Sequence, residues 1–170
     1  MKRATLPILL LLLGILAAGS TPDAGPTLQE PTDRELFEYA TRIAEAHRRA
    51  DAKSVSEPGV AAQELGELLE WPWPSSADAY ALRADLHARR AQLLLAAGRW
   101  EDAELAVGAG IAESEQQNIS SSALTAQLWL RFGEVKEARG DDLGAVQAYQ
   151  AAIRTAKDVL IQRREGRKGP

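Results

Sequence analysis

The side chains of this chain that could do chemistry are few and scattered. His47 and His87 are its only histidines, on different helical segments, without an HExxH spacing or a carboxylate triplet beside them. A metal site or a general base needs such convergence, so each reads as a half-buried helix residue. Ser75-Ser76 and Ser120 to Ser122 precede helical segments, where hydroxyls cap free amide groups, and no G-x-S-x-G elbow surrounds them. Asp141-Asp142 has the look of a metal pair, but a helix dipole favours acidic residues at a turn and helix start. Cysteine is absent, which excludes a thiol nucleophile, a disulfide and a Cys-based zinc site. No phosphate-cradling glycine loop appears. The expectation is a non-enzymatic protein without cofactor or metal.

The elements that carry these residues are helical. Of the 170 residues, 45% are hydrophobic, mostly Ala and Leu, while aromatic residues reach only 5%. Ala and Leu lose little entropy in a helix, whereas strands favour β-branched and aromatic residues. The length suits one domain. A net charge of −4 is poorly matched to nucleic acid, whose phosphates attract clustered Lys and Arg.

The N-terminus reads as an export signal over residues 1–19. Lys2 and Arg3 precede an uncharged run from Leu6 to Ala18, closed by the small residues Ala17, Ala18 and Gly19. The run has 13 residues, against about 20 for a helix that spans a bilayer. A cleaved signal therefore outranks a retained anchor, and the body is expected in the periplasm or secreted, with no membrane span. Residues 20–31, STPDAGPTLQEP, carry three prolines and no apolar periodicity, as a linker does.

Helical pattern fills residues 32–162. Thr32 and Glu35 have capping-box spacing, and Leu36, Ala40, Ile43 and His47 share a face of a first helix reaching about Lys53. A second helix opens at Pro58-Gly59 and stops at Trp71-Pro72-Trp73-Pro74, where prolines deny the backbone its helical bonds. A third, capped near Ser76, ends at Gly98. A fourth spans about Trp100 to Gln116, a fifth about Ser122 to Arg139, and a sixth starts near Asp142 with Val146, Tyr149, Ile153, Ala156 and Leu160 on one face. Six helices joined by short turns make three antiparallel hairpins. Residues 163–170, RREGRKGP, form a basic tail, expected to be disordered and solvated.

The hairpins repeat. Gly98 and Gly140 lie 42 residues apart, and the same step aligns Ala61, Leu65 and Leu69 with Ala103, Val107 and Ile111 and with Ala145, Tyr149 and Ile153. The last pair adds Trp129, Phe132 and Gly133 on its first helix, then Gly140-Asp141, Ala145, Tyr149 and Ala152; the middle pair adds Gly98-Arg99-Trp100-Glu101-Asp102-Ala103. These residues resemble the tetratricopeptide repeat in a longer-period form. Lys136 and Lys157 depart from the family's tyrosine and proline columns, and His87 and Arg90 from its tryptophan and large apolar ones.

The resemblance implies an all-α solenoid of stacked antiparallel hairpins that binds a protein or peptide partner along its first helices. The family's ligand-facing positions fall on Asp85, Ala88, Gln92 and Leu95 and on Gln127, Leu130, Glu134 and Glu137. That groove would be mixed apolar and acidic, suited to a segment with apolar and basic residues. Leu130 and Glu134 stand where the family's carboxylate clamp would be, which argues against capture of a C-terminal carboxylate. Trp71 and Trp73 are a second candidate, as an exposed aromatic anchor or as indoles folded back over the gap between the first two hairpins. The expected role is an exported adaptor or scaffold that supports assembly of a larger complex. The alternative is a self-associating component of the cell envelope.

Overall fold

The computed structural model describes residues 31–166, which form an all-α fold of stacked helical hairpins without a strand. Its helices are α1 (Pro31–Lys53), α2 (Pro58–Leu69), α3 (Ala77–Ala96), α4 (Trp100–Gln116), α5 (Ala123–Ala138) and α6 (Asp142–Gly166). The export signal, the linker up to residue 30 and the Thr32 side chain of the expected capping box lie outside the described residues. The expected basic tail begins inside α6, because Arg163 to Glu165 are helical.

Three helix ends share one device. Gly98 has φ +72° and Gly140 φ +74°, and Asn118 takes the same left-handed conformation at φ 56°. At each, two N–H groups turn back onto the last carbonyls. Arg99 N donates to Leu94 O at 2.8 Å, Ile119 N to Ser114 O at 3.0 Å and Asp141 N to Lys136 O at 2.9 Å. This is the Schellman arrangement, in which a left-handed residue lets the chain reverse and satisfies orphan carbonyls. Helix starts are equally local. The hydroxyls of Ser76 and Ser122 accept from Ala79 N at 3.2 Å and Thr125 N at 3.0 Å, and Asp141 Oδ1 accepts from Gly144 N at 2.9 Å. Ser76, Ser122 and Asp141 are therefore caps.

α2 packs on α3, α3 on α4, α4 on α5 and α5 on α6, while α3 also touches α5. That last contact sets the first helices of successive hairpins side by side. Leu65, Leu86, Leu93, Leu94, Val107, Leu128 and Val135 fill the interior. Ala61, Ala103 and Ala145 are all buried and bring the helices close. Arg83 ties three helices together, donating from Nη1 to the Leu69 carbonyl at 2.9 Å and from Nε to Glu113 at 2.7 Å. α1 joins through Ile43, Ala46 and Ala50 in the same core.

Candidate partner-binding surface

The residues expected to line a groove sit on α3 and α5, whose contact brings Asp85 and Arg131 into one electrostatic neighbourhood. Asp85 is half-buried and lies 3.6 Å from His47 Nε2 on α1. Burial lifts its carboxyl above the usual range, while His47, Arg89 and Arg131 pull the other way. Arg89 pairs with Asp51 and also donates to Gln92 Oε1 at 2.6 Å. Arg131 donates to both oxygens of Glu134 at 2.8 Å. Glu137 accepts from the Tyr149 hydroxyl at 2.7 Å, and burial together with this bond pushes the Tyr149 pKa up to about 12.

This face therefore carries ion pairs beside the apolar and acidic groups that were expected. Arg89 and Arg131 supply the missing positive charge. Both were legible by spacing, Arg89 four residues after Asp85 and Arg131 three before Glu134, separations that place side chains together on a helix. Ala88 is fully buried and offers a partner nothing. Leu95 packs against the core, Gln127 is half-buried, and Leu130 and Glu137 are exposed.

The two tryptophans of the α2–α3 connector part company. Trp73 folds back: its ring lies 4.9 Å from that of Tyr39, its Nε1 donates to Leu68 O at 3.3 Å, and the Arg83 guanidinium stands 5.1 Å above it. Trp71 stays exposed under the Arg42 guanidinium, 4.5 Å away.

A groove that the sequence did not single out runs between α5 and α6. It encloses about 610 Å³ over a floor of Trp129, Phe132, Ala148 and Ala151, with Leu143 and Arg154 on its rim. Trp129 and Phe132 stack at 6.0 Å with a 57° tilt, and Lys136 Nζ sits 5.2 Å from the Phe132 ring. The groove follows two helix faces, Trp129, Phe132 and Lys136 on one side and Gly144, Gln147, Ala151 and Arg154 on the other. Periodicity within either helix alone does not disclose it.

His87 is buried and neutral. Its Nε2 lies 3.7 Å from Glu113, but that carboxylate is held by Arg83. Burial first, then the charges of Arg83 and Arg90, hold the imidazole pKa down to about 4. Among the described residues no group of His, Cys, Asp and Glu is arranged to hold a metal ion, and no helix is long and apolar enough to cross a membrane. Comparison with known proteins gives no matching family model, no similar curated protein and no similar solved structure.

Proposed function

We propose that this chain is an exported protein–protein interaction module, a helical-repeat scaffold of the tetratricopeptide kind that supports assembly of a larger complex and catalyses nothing. The observation that carries the reading is the α5/α6 groove, with an aromatic pair in its floor, the paired Lys136 and Asp141 at one end and Arg154 on its rim. Two helices lie side by side with an open groove of mixed apolar and polar lining between them, a shape that receives a third helix or an extended segment. Arg154 favours a partner with a carboxylate beside its apolar residues. Export rests on Lys2, Arg3 and the run from Leu6 to Ala18.

Capture from envelope extracts of an exporting host tests the reading. Ala151→Glu and Arg154→Glu change the groove lining at residues outside the fully buried core. Both should keep the wild-type melting temperature and lose the principal captured protein. Capture that survives both substitutions would remove the groove as the working surface. N-terminal sequencing of the same preparation checks export: a mature start near Ser20 is expected, and an intact Met1 in the membrane fraction counts against it.

A further inference from the structure

α6 carries a second apolar feature, on positions other than the groove-lining Gly144, Gln147, Ala148, Ala151 and Arg154. Val146, Ile153 and Leu160 recur every seven residues, the spacing of a seam between paired helices. Yet Val146 is 51% exposed, Ile153 68% and Leu160 66%. The internal repeat makes this exposure informative. Ile153 holds the column of Leu69 in the first hairpin and Ile111 in the second, which are only 7% and 8% exposed. In those hairpins the next helix packs on, α3 against α2 and α5 against α4. No helix among the described residues does the same for α6.

Charge selects the occupant. We infer that this face is a self-association surface, on which α6 pairs antiparallel with α6 of a second copy about a two-fold axis near Ile153. The pattern is self-complementary under that operation, as an isologous contact requires. Val146 and Leu160 stand equally far from Ile153 in sequence, so the first half of one stripe meets the second half of the other. Val146 comes opposite Leu160, Gln150 opposite Ala156 and Lys157, and Asp142 at the helix start opposite Arg163 and Arg164. Unlike charges therefore meet at both ends of the pair. A parallel pair would set Asp142 on Asp142, Lys157 on Lys157 and Arg164 on Arg164, and like-charge juxtaposition suppresses such an arrangement. One helix pair buries less than about 1,200 Å², the range of weak and transient contacts, so the dimer dissociates on dilution.

This surface and the α5/α6 groove stand or fall separately, because Ala151→Glu alters the groove on the side of α6 away from the stripe. Sedimentation of the protein recovered from an exporting host should show a mass rising towards twice the monomer with concentration. Ile153→Glu should hold it monomeric with unchanged helical circular dichroism, since that side chain lies in solvent in the single chain. The chain has no cysteine, so a single introduced thiol reports its own neighbourhood. Ile153→Cys should be cross-linked into a dimer by a short bismaleimide, whereas Leu160→Cys should not, its two copies lying at opposite ends of the pair. A monomer at every concentration, or a dimer that survives Ile153→Glu, overturns the proposal. Cross-linking of Leu160→Cys as efficient as that of Ile153→Cys overturns the antiparallel arrangement.

Discussion

The Tyr149 ring of α6 lies directly against the backbone of Gly133 on α5: a Cβ built on Gly133 would overlap the ring, with even Cζ only 2.8 Å away. Glycine is needed at this point for space, since the position sits within α5 and not at a left-handed turn. The contact lets the two helices of the last hairpin close and brings the Tyr149 hydroxyl to Glu137.

Gly133→Ala should therefore destabilise the protein, although alanine is by about 1 kcal/mol the better helix former. Overpacking of this kind costs on the order of 1–3 kcal/mol. Thermal melting of Gly133→Ala alone and in a Tyr149→Ala background separates the two effects. The substitution should lower the midpoint in the first case and leave it unchanged or raise it in the second. A loss of equal size in both backgrounds would show that the ring is not the obstacle.

Acid should destabilise the protein through His87. Its pKa in the fold is about 4, below the 6.5 of an ordinary imidazole, so the unfolded chain binds the proton more readily. A histidine depressed in this way contributes fully above its unfolded pKa, and its contribution is lost as pH falls from 6.5 towards 4. The loss is on the order of 3 kcal/mol across that window. Asp85, whose carboxyl is lifted by burial, titrates with the opposite sign and offsets part of it at the acid end. Denaturant titrations at pH 7 and pH 4.5 should show the stability difference shrink in His87→Leu, and an undiminished difference in that variant would place the acid sensitivity elsewhere.

Helix boundaries were legible in the sequence because their causes are local. Pro58, Ser76, Gly98, Ser122 and Gly140 each act within one turn, and the helices start or stop beside them. The alanine columns were legible because a 42-residue step places Ala61, Ala103 and Ala145 at equivalent crossings, all three buried. The surface was harder to read. The His47 neighbour of Asp85 comes from another helix, which spacing within α3 does not disclose, whereas Arg131 stands three residues before Glu134 on the same helix and was within reach of a spacing argument. Ile153 read as a core residue by repeat and by periodicity, yet neither pattern states whether a helix arrives to cover it.

The connector offers a contrast between two tryptophans separated by Pro72. Trp73 packs on Tyr39, bonds to Leu68 O and lies beneath Arg83, so Trp73→Ala opens a gap between α1 and the start of α3. Large-to-small changes of this kind cost about 3–5 kcal/mol when the ring is fully buried, and the partly buried Trp73 should lose somewhat less. Trp71 is exposed beneath Arg42 and should lose less than about 1 kcal/mol on substitution, as exposed cation–π pairs do. Equal losses for the two variants in chemical denaturation would contradict this division.

Glu104 on α4 joins the second hairpin to the third. It accepts from Lys136 at 2.8 Å and pairs with Arg139, whose guanidinium also stands 4.8 Å above the Trp100 ring on α4; Lys136 reaches Asp141 at 3.4 Å as well. The Lys136 hydrogen bond is the main reason the Glu104 carboxyl is held below its usual range. Glu104→Gln keeps the shape and removes the charge, leaving two cations side by side without their common anion. The groups are partly solvated, so the expected loss at neutral pH is about 0.5–1 kcal/mol, the scale of an exposed network. The sign follows from the depressed pKa: the contribution is present above the unfolded value near 4.5 and is lost as pH falls through the lower folded value. The gap between wild type and Glu104→Gln should accordingly be widest at neutral pH and low salt. It should narrow in strong salt, which screens exposed charges, and close once Glu104 is protonated. Urea titrations at two pH values and two salt concentrations check this, and a gap that ignores both variables would mean that the bridge holds the hairpins by shape alone.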